Sequence, residues 1–204
     1  MGLFSRLFGN KSSLDERPDR IWKTQRAKWH GIHQEFERRC EEGSAAVALI
    51  SHFEDSLSLI NTIVEDTSAG VPTFASLADG LTDHFTEDWK LDLSAVVDII
   101  VVERHPTRSV DLKVLNVASE LPCQCRVTHH LSLEDPLLKF MLGDGFQEIM
   151  SQLGLKDDEA IESRLVSKRI KTKQTEIEHL SQNHPESRSA RAWIETNFPV
   201  PKQI

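Results

Sequence analysis

The run from Val96 to Val102, VVDIIVV, constrains this chain more than any other stretch. Its apolar residues are all β-branched, which suits a pleated, buried strand. Ala46 to Ser51 is a second, nearly continuous apolar run of the kind found in parallel sheets buried on both faces. Helical patterns alternate with these strands. Thr24 is placed to cap a helix reaching Glu42, with Trp29, Ile32, Phe36 and Cys40 forming its apolar stripe and Gly43 stopping it. A second helix carries Glu54 and Asp55 in its first turn, uses Leu57, Ile60 and Val64, and closes at Gly70. Val71 to Phe74 reads as a short strand, and Leu77 to Trp89 has no clear period. After the central strand, Thr107 or Ser109 caps a helix using Val110, Val114, Leu115 and Ala118, which Pro122 ends. Cys123 to Leu133 is the next strand.

From Pro136 onward only helices are expected: Leu137 to Leu142, Phe146 to Leu153, a long one from Ile161 to Leu180 burying Ile161, Leu165, Ile170 and Ile177, and a last one from Ser189 to Thr196. The polar stretch Asn10 to Arg20 reads as a linker, and Ile21-Trp22 as a short strand. This order predicts an α/β fold. A parallel sheet of four or five strands, centred on Val97 to Val102, has helices on both faces and a helical C-terminal extension. The segments are 1–18 (terminal segment and linker), 19–135 (the α/β domain) and 136–204 (the helical extension).

Composition narrows the function. A chain of 204 residues with 39% hydrophobic and 27% charged residues can bury a real core. A net charge of −8 disfavours general nucleic-acid binding, so no nucleic-acid partner is expected. Three cysteines without framework spacing suit a reducing cytoplasm. No apolar run approaches the roughly 20 residues needed to span a bilayer, and the start lacks a signal-peptide core. Leu3, Phe4, Leu7 and Phe8 fall at helical spacing in residues 1–8. Weak contact with a membrane surface is one reading. A frayed terminus is favoured, because so short a helix is marginal in water.

Several motifs carry a family resemblance. Glu103, Arg104, His105, Arg108 and Asp111 after the central strand, and Leu131, Ser132, Leu133, Glu134 and Asp135 after the next, resemble T-E-R-H-x-S-R-R-I-D and F-x-L-S-L-E-D of the second nucleotide-binding domain of SecA, the ATP-driven preprotein translocase. IWKTQRAKW at 21–29 is similar to V-Y-x-T-x-x-x-K-W, and 43–58 to G-x-P-V-L-V-G-T-x-S-V-E-x-S-E. LGLKDDEAIE at 153–162, followed by VSKRI at 166–170, looks like the start of the family's helical scaffold. The resemblance implies a RecA-like, P-loop NTPase-type fold and a role in protein export. Residues 1–8 are similar to a segment that contacts lipid in the family; the resemblance implies a cytoplasmic chain, with a place at the inner face of the membrane as the further reading.

The resemblance breaks where the chemistry would be. Residues 113–125 read KVLNVASELPCQC where the family carries Q-L-R-G-R-S-G-R-Q-G-D-P-G. A guanidinium at that position spreads positive charge over the transferring phosphoryl oxygens, and its loss costs on the order of 10³–10⁵ in rate. No G-x-x-x-x-G-K-[ST] loop occurs either. The expectation is therefore a chain with no catalytic or nucleotide-binding residues and no cofactor. It would act by binding a protein: a SecA motor, another export component or itself. The alternative is a subunit that completes a composite ATPase with a P-loop-bearing partner.

Glu103, Arg104, His105, Arg108 and Asp111 are the candidate binding remnants, at the end of a strand where α/β folds place ligands. The competing reading is that they pin the strand-to-helix turn. Apolar surface is expected around Glu103 to Arg108 and along the long helix, with Leu165 and Ile170 as the partner surface. Cys123, Cys125, His129 and His130 invite a zinc reading, but on a strand His130 points away from the other three, so no metal site is expected.

Overall fold

The computed structural model describes residues 14–85, 91–142, 159–181 and 187–199. The expected helix at Phe146 to Leu153 and the segment 1–8 lie outside the described residues. Seven strands form one sheet: β1 (Leu14–Glu16), β2 (Arg20–Trp22), β3 (Ala46–Ser51), β4 (Thr73–Leu77), β5 (Val96–Val101), β6 (Gln124–Ser132) and β7 (Ile161–Glu162). The order is β4-β3-β5-β6-β2-β7, with β1 also on β6. Every pairing is parallel except that of β2 with β7. The fold is thus α/β, with a mostly parallel sheet flanked by helices.

The sheet is wider than the four or five strands expected, because its edge is built from short pieces that carry no periodicity. β1 pairs with Cys125 to Val127 and β2 with His130 to Ser132, so the two lie end to end along one edge of β6. Pro18 separates them; it has no N–H to give to a ladder. The stretch Asn10 to Arg20, read as a linker, therefore holds a strand and the fully buried Asp19.

Strand alternation divides the core. Ala46, Ala48, Ile50, Val97, Ile99 and Val101 face one layer, where Val114, Leu115 and Ala118 of α3 (Arg108–Glu120) cover them with Leu81 of the 3-10 turn Ala78–His84. That turn occupies the stretch whose period was unclear. Val47, Leu49, Ile100 and Val102 face the other layer, under Ile32 and Phe36 of α1 (Gln25–Glu41) and Ile60 of α2 (Glu54–Asp66). Thr24 caps α1 as expected, its Oγ1 accepting from the Ala27 N–H at 3.1 Å. Gly43 follows α1 with a φ of 83°, a conformation that favours glycine. α2 ends at Asp66, short of Gly70.

Among the described residues, three further helices close the C-terminal side: α4 (Pro136–Leu142), α5 (Arg164–Leu180) and α6 (Ala190–Asn197). The long helix expected from Ile161 starts later, since Ile161 and Glu162 are β7 and Ser163 caps α5. Its buried stripe is Ser167, Ile170, Gln174 and Ile177, at three- and four-residue steps. Leu165 falls off that stripe and is 81% exposed rather than buried.

Candidate functional site

The site expected after the central strand is a closed ionic cluster. Arg104 is 1% exposed. Its Nη2 donates to Asp19 Oδ1 at 2.6 Å and reaches Glu16 Oε1 at 3.4 Å, while Nη1 donates to Asp111. Asp111 lies in the first turn of α3 and also accepts from Arg108 Nη1 at 3.0 Å and from the His105 N–H at 3.3 Å. His52 Nε2 approaches the same carboxylate at 3.4 Å. Glu103 turns the other way, accepting from the Ser51 and Ser56 hydroxyls at 2.7 and 3.0 Å.

Electrostatics follow from this packing. Burial alone would lower the Arg104 pKa, yet Asp111, Asp19 and Glu16 hold it above its ordinary value. Burial would raise that of Asp111; Arg104 and His52 instead hold it well below the usual carboxylate range. His129 is fully buried, and burial followed by the Arg104 charge keeps it neutral, with a pKa well below that of a free imidazole.

His105 is enclosed rather than presented. Its Nδ1 accepts from the Thr107 N–H at 3.1 Å, and its carbonyl accepts from Gln174 of α5 at 2.7 Å. Its ring lies against Phe53 and against Trp193 of α6, with centroids 5.4 and 5.6 Å apart. The apolar exposure expected around Glu103 to Arg108 is therefore absent: Arg104, His105 and Thr107 are all buried, because α5 and α6 fold back over them. Ile170 is likewise 1% exposed in a cluster with Ile21 and Leu131, and so is not a partner surface; Leu165 stays exposed.

Of the five motif residues, Arg104, His105, Arg108 and Asp111 meet one another while Glu103 bonds to the two serines, and sequence reasoning missed their more distant partners. Asp19 and Glu16 sit in the supposed linker. His52 comes from the turn after β3, His129 from β6 and Gln174 from α5, and no local pattern marks them. The other resembling segments also meet one another. Lys28 Nζ donates to Asp135 Oδ1 at 2.8 Å, and the Gln25 N–H to Glu134 at 2.7 Å, joining the K-W segment to the L-S-L-E-D segment.

The cysteine and histidine pairs stay apart. Cys123 and Cys125 place their sulfurs 3.7 Å apart in the core. His130, on the opposite face from His129, accepts from Trp22 Nε1 at 3.1 Å and contacts Glu35 at 3.0 Å. Among the described residues no group of three His, Cys, Asp or Glu side chains is arranged to hold a metal. No described helix is long and apolar enough to cross a membrane.

A cavity of about 330 Å³ remains at the C-terminal edge of the sheet, where parallel α/β folds receive ligands. Asp55, Glu103 and Asp135 line it against Lys28 and Arg191. Carboxylates outnumber cations there, the reverse of what a polyphosphate needs.

A mostly parallel sheet wrapped on both faces, with its ion cluster where the central strand turns into a helix, defines an α/β domain. The chain is a divergent, partial relative of the SecA translocase subunit. It is 26% identical over 195 aligned residues to protein translocase subunit SecA of Campylobacter jejuni, covering 85% of this chain and 22% of that protein. The corresponding proteins of Clostridium kluyveri and Campylobacter curvus are 27% and 28% identical over 187 residues, covering 80% and 81% of this chain. The chain thus spans 22% of the length of the curated relatives it matches. No family model matches it. Among solved structures, the C-terminal part of the Fun30 ATPase domain superimposes with a TM-score of 0.39 at 12% identity, over 74% of this chain and 54% of that one.

Proposed function

We propose that this chain is a SecA-like protein of the export system that works by binding a protein partner and does not hydrolyse ATP. The observation that carries the reading is the state of Arg104. A guanidinium that stabilises a phosphoryl group must face the ligand, whereas this one is buried and committed to three carboxylates. Trp193, wholly buried against His105 and Phe53, fills further space on the same side. The acidic lining of the edge cavity and the glycine-free segment 113–125 support the same conclusion. The kinship points to a SecA motor as the partner, met in the cytoplasm or at the inner membrane face.

The test uses the purified chain and a purified SecA motor from the same cell. The chain alone should show neither MgATP binding nor hydrolysis, and it should form a saturable complex with the motor. Hydrolysis that persists through purification and falls on Arg104→Met or Arg108→Ala would overturn the reading. So would ATPase activity that appears only when the chain is mixed with a P-loop protein lacking its own second domain, which would make it a catalytic subunit. Absence of any complex with the motor would remove the proposed partner.

A further inference from the structure

A second cavity, of about 490 Å³, opens between the second half of α1, β2 and the middle of β6. It shares no residue with the Arg104 cluster. Four arginines line it, Arg17, Arg20, Arg38 and Arg39, against two carboxylates, Glu35 and Glu162. That local excess of positive charge stands on a chain of net charge −8. We propose that this cavity binds a compact polyanion, a small ligand carrying two or more adjacent oxyanion groups.

The arginines differ in how they are held. Arg20 and Arg39 form a fixed floor. Arg20 Nη1 donates to Glu35 at 2.6 Å and its Nε pairs with Glu162 at 3.0 Å; Arg39 Nη2 donates to Glu35 at 3.3 Å and its Nε faces Asp98 at 3.4 Å. Glu35 is itself locked by His130, and these neighbours keep it ionised. Arg17 and Arg38 form a loose rim. Arg17 pairs with Asp15 at 3.2 Å, and Arg38 with Glu42, which it shares with Arg39, at 3.4 Å and with Glu35 at 4.0 Å; all four of Arg17, Asp15, Arg38 and Glu42 are about half exposed. Exposed pairs of this kind are weak and exchange readily.

Each guanidinium offers five N–H donors in a planar fork, and these pairs leave several unused. A preorganised floor with a movable rim suits a ligand whose oxygens can engage several forks at once. The carboxylates in the lining set the charge requirement: a monoanion gains little beside Glu35 and Glu162, while a polyanion matches the excess of guanidinium. Thr128 and Gln34 add neutral hydrogen-bonding groups, and the volume falls within the range of small-ligand sites.

The probes are inorganic pyrophosphate and citrate, with monovalent acetate as control, titrated calorimetrically into the full chain at fixed ionic strength. Saturable binding of pyrophosphate or citrate, and none of acetate, is expected. Preference between the two tells phosphoryl from polycarboxylate ligands. Arg38→Ala and the exposed-site change Gln34→Glu should each weaken binding by about tenfold or more without lowering the melting temperature. Failure of both polyanions to bind at about millimolar concentration, or binding that is indifferent to both substitutions, overturns the proposal. Neither result bears on the partner-binding role.

Discussion

Replacing Arg104 by methionine tests whether the motif remnant is a structural clamp. Methionine keeps much of the volume and removes the charge. Asp111 would retain Arg108 and His52, but the Asp19 carboxylate would lose the cation that donates its hydrogen bonds to it. Breaking a buried pair from one side costs about 3–5 kcal/mol, because the remaining charge is left uncompensated. A domain of ordinary stability has roughly 5–15 kcal/mol in total. At roughly 2–4 °C per kcal/mol for a chain of this size, the melting temperature should fall by about 6–20 °C. Urea unfolding should show a lower midpoint at unchanged slope. The double variant Arg104→Met/Asp19→Asn should recover part of the loss, a coupling on the order of 0.5–3 kcal/mol. Acid adds a second readout. The Asp111 pKa is depressed in the fold, so its stabilisation is present above its unfolded pKa and is lost as pH falls toward the folded one. Arg104→Met should flatten that acid limb. A single variant within about 1 kcal/mol of the parent, or a double variant with no coupling, would refute the clamp.

Three further outcomes follow from other parts of the fold. His129 and His130 are both buried with lowered pKa values, so their stabilisation is complete above their unfolded pKa and declines as pH drops below about 6.5; denaturation midpoints between about pH 8 and 5 should fall in the parent and fall less in His129→Gln. A Cβ on Gly31 would lie 2.0 Å from the Trp22 ring, so Gly31→Ala should cost about 1–3 kcal/mol by overpacking despite better helix propensity, with a shift in tryptophan fluorescence as the check. Leu165→Asp should leave stability within about 0.5 kcal/mol and weaken any partner complex that uses α5, whereas Ile170→Asp, at a position 1% exposed, should unfold the chain in a denaturant titration.

Much of the fold is legible in the sequence because its central strands are long and apolar. VVDIIVV and AVALIS are six- or seven-residue runs, and the helices around them show three- and four-residue steps, with Thr24 and Ser189 capping two of them. The edge is not legible. β1, β2 and β7 have three, three and two residues, too few to show a period of two, and Pro18 makes the first two read as a loop. Their strand character comes from β6, which offers nine residues of hydrogen-bonding edge. Leu165 and Ile170 show the same limit within a helix. Both are apolar, but only tertiary contact decides which lies on the buried stripe.

The site divides along similar lines. The resemblance located Glu103 to Asp111 by position, yet their roles depend on partners far away in the chain. Arg104 pairs with Asp19 across 85 residues, and Lys28 with Asp135 across 107. These pairings bear on how the family likeness should be read. Every resembling segment that the structure places in contact with another is satisfied internally, Glu103 by serines, Arg104 by carboxylates and Asp135 by Lys28. The segment that differs, residues 113–125, lies on α3, in the loop after it and at the start of β6, where Lys113 pairs with Asp79 at the surface. What persists is therefore what holds the sheet edge and its helices together. A fold can keep such residues for packing alone, so their presence by itself requires no nucleotide.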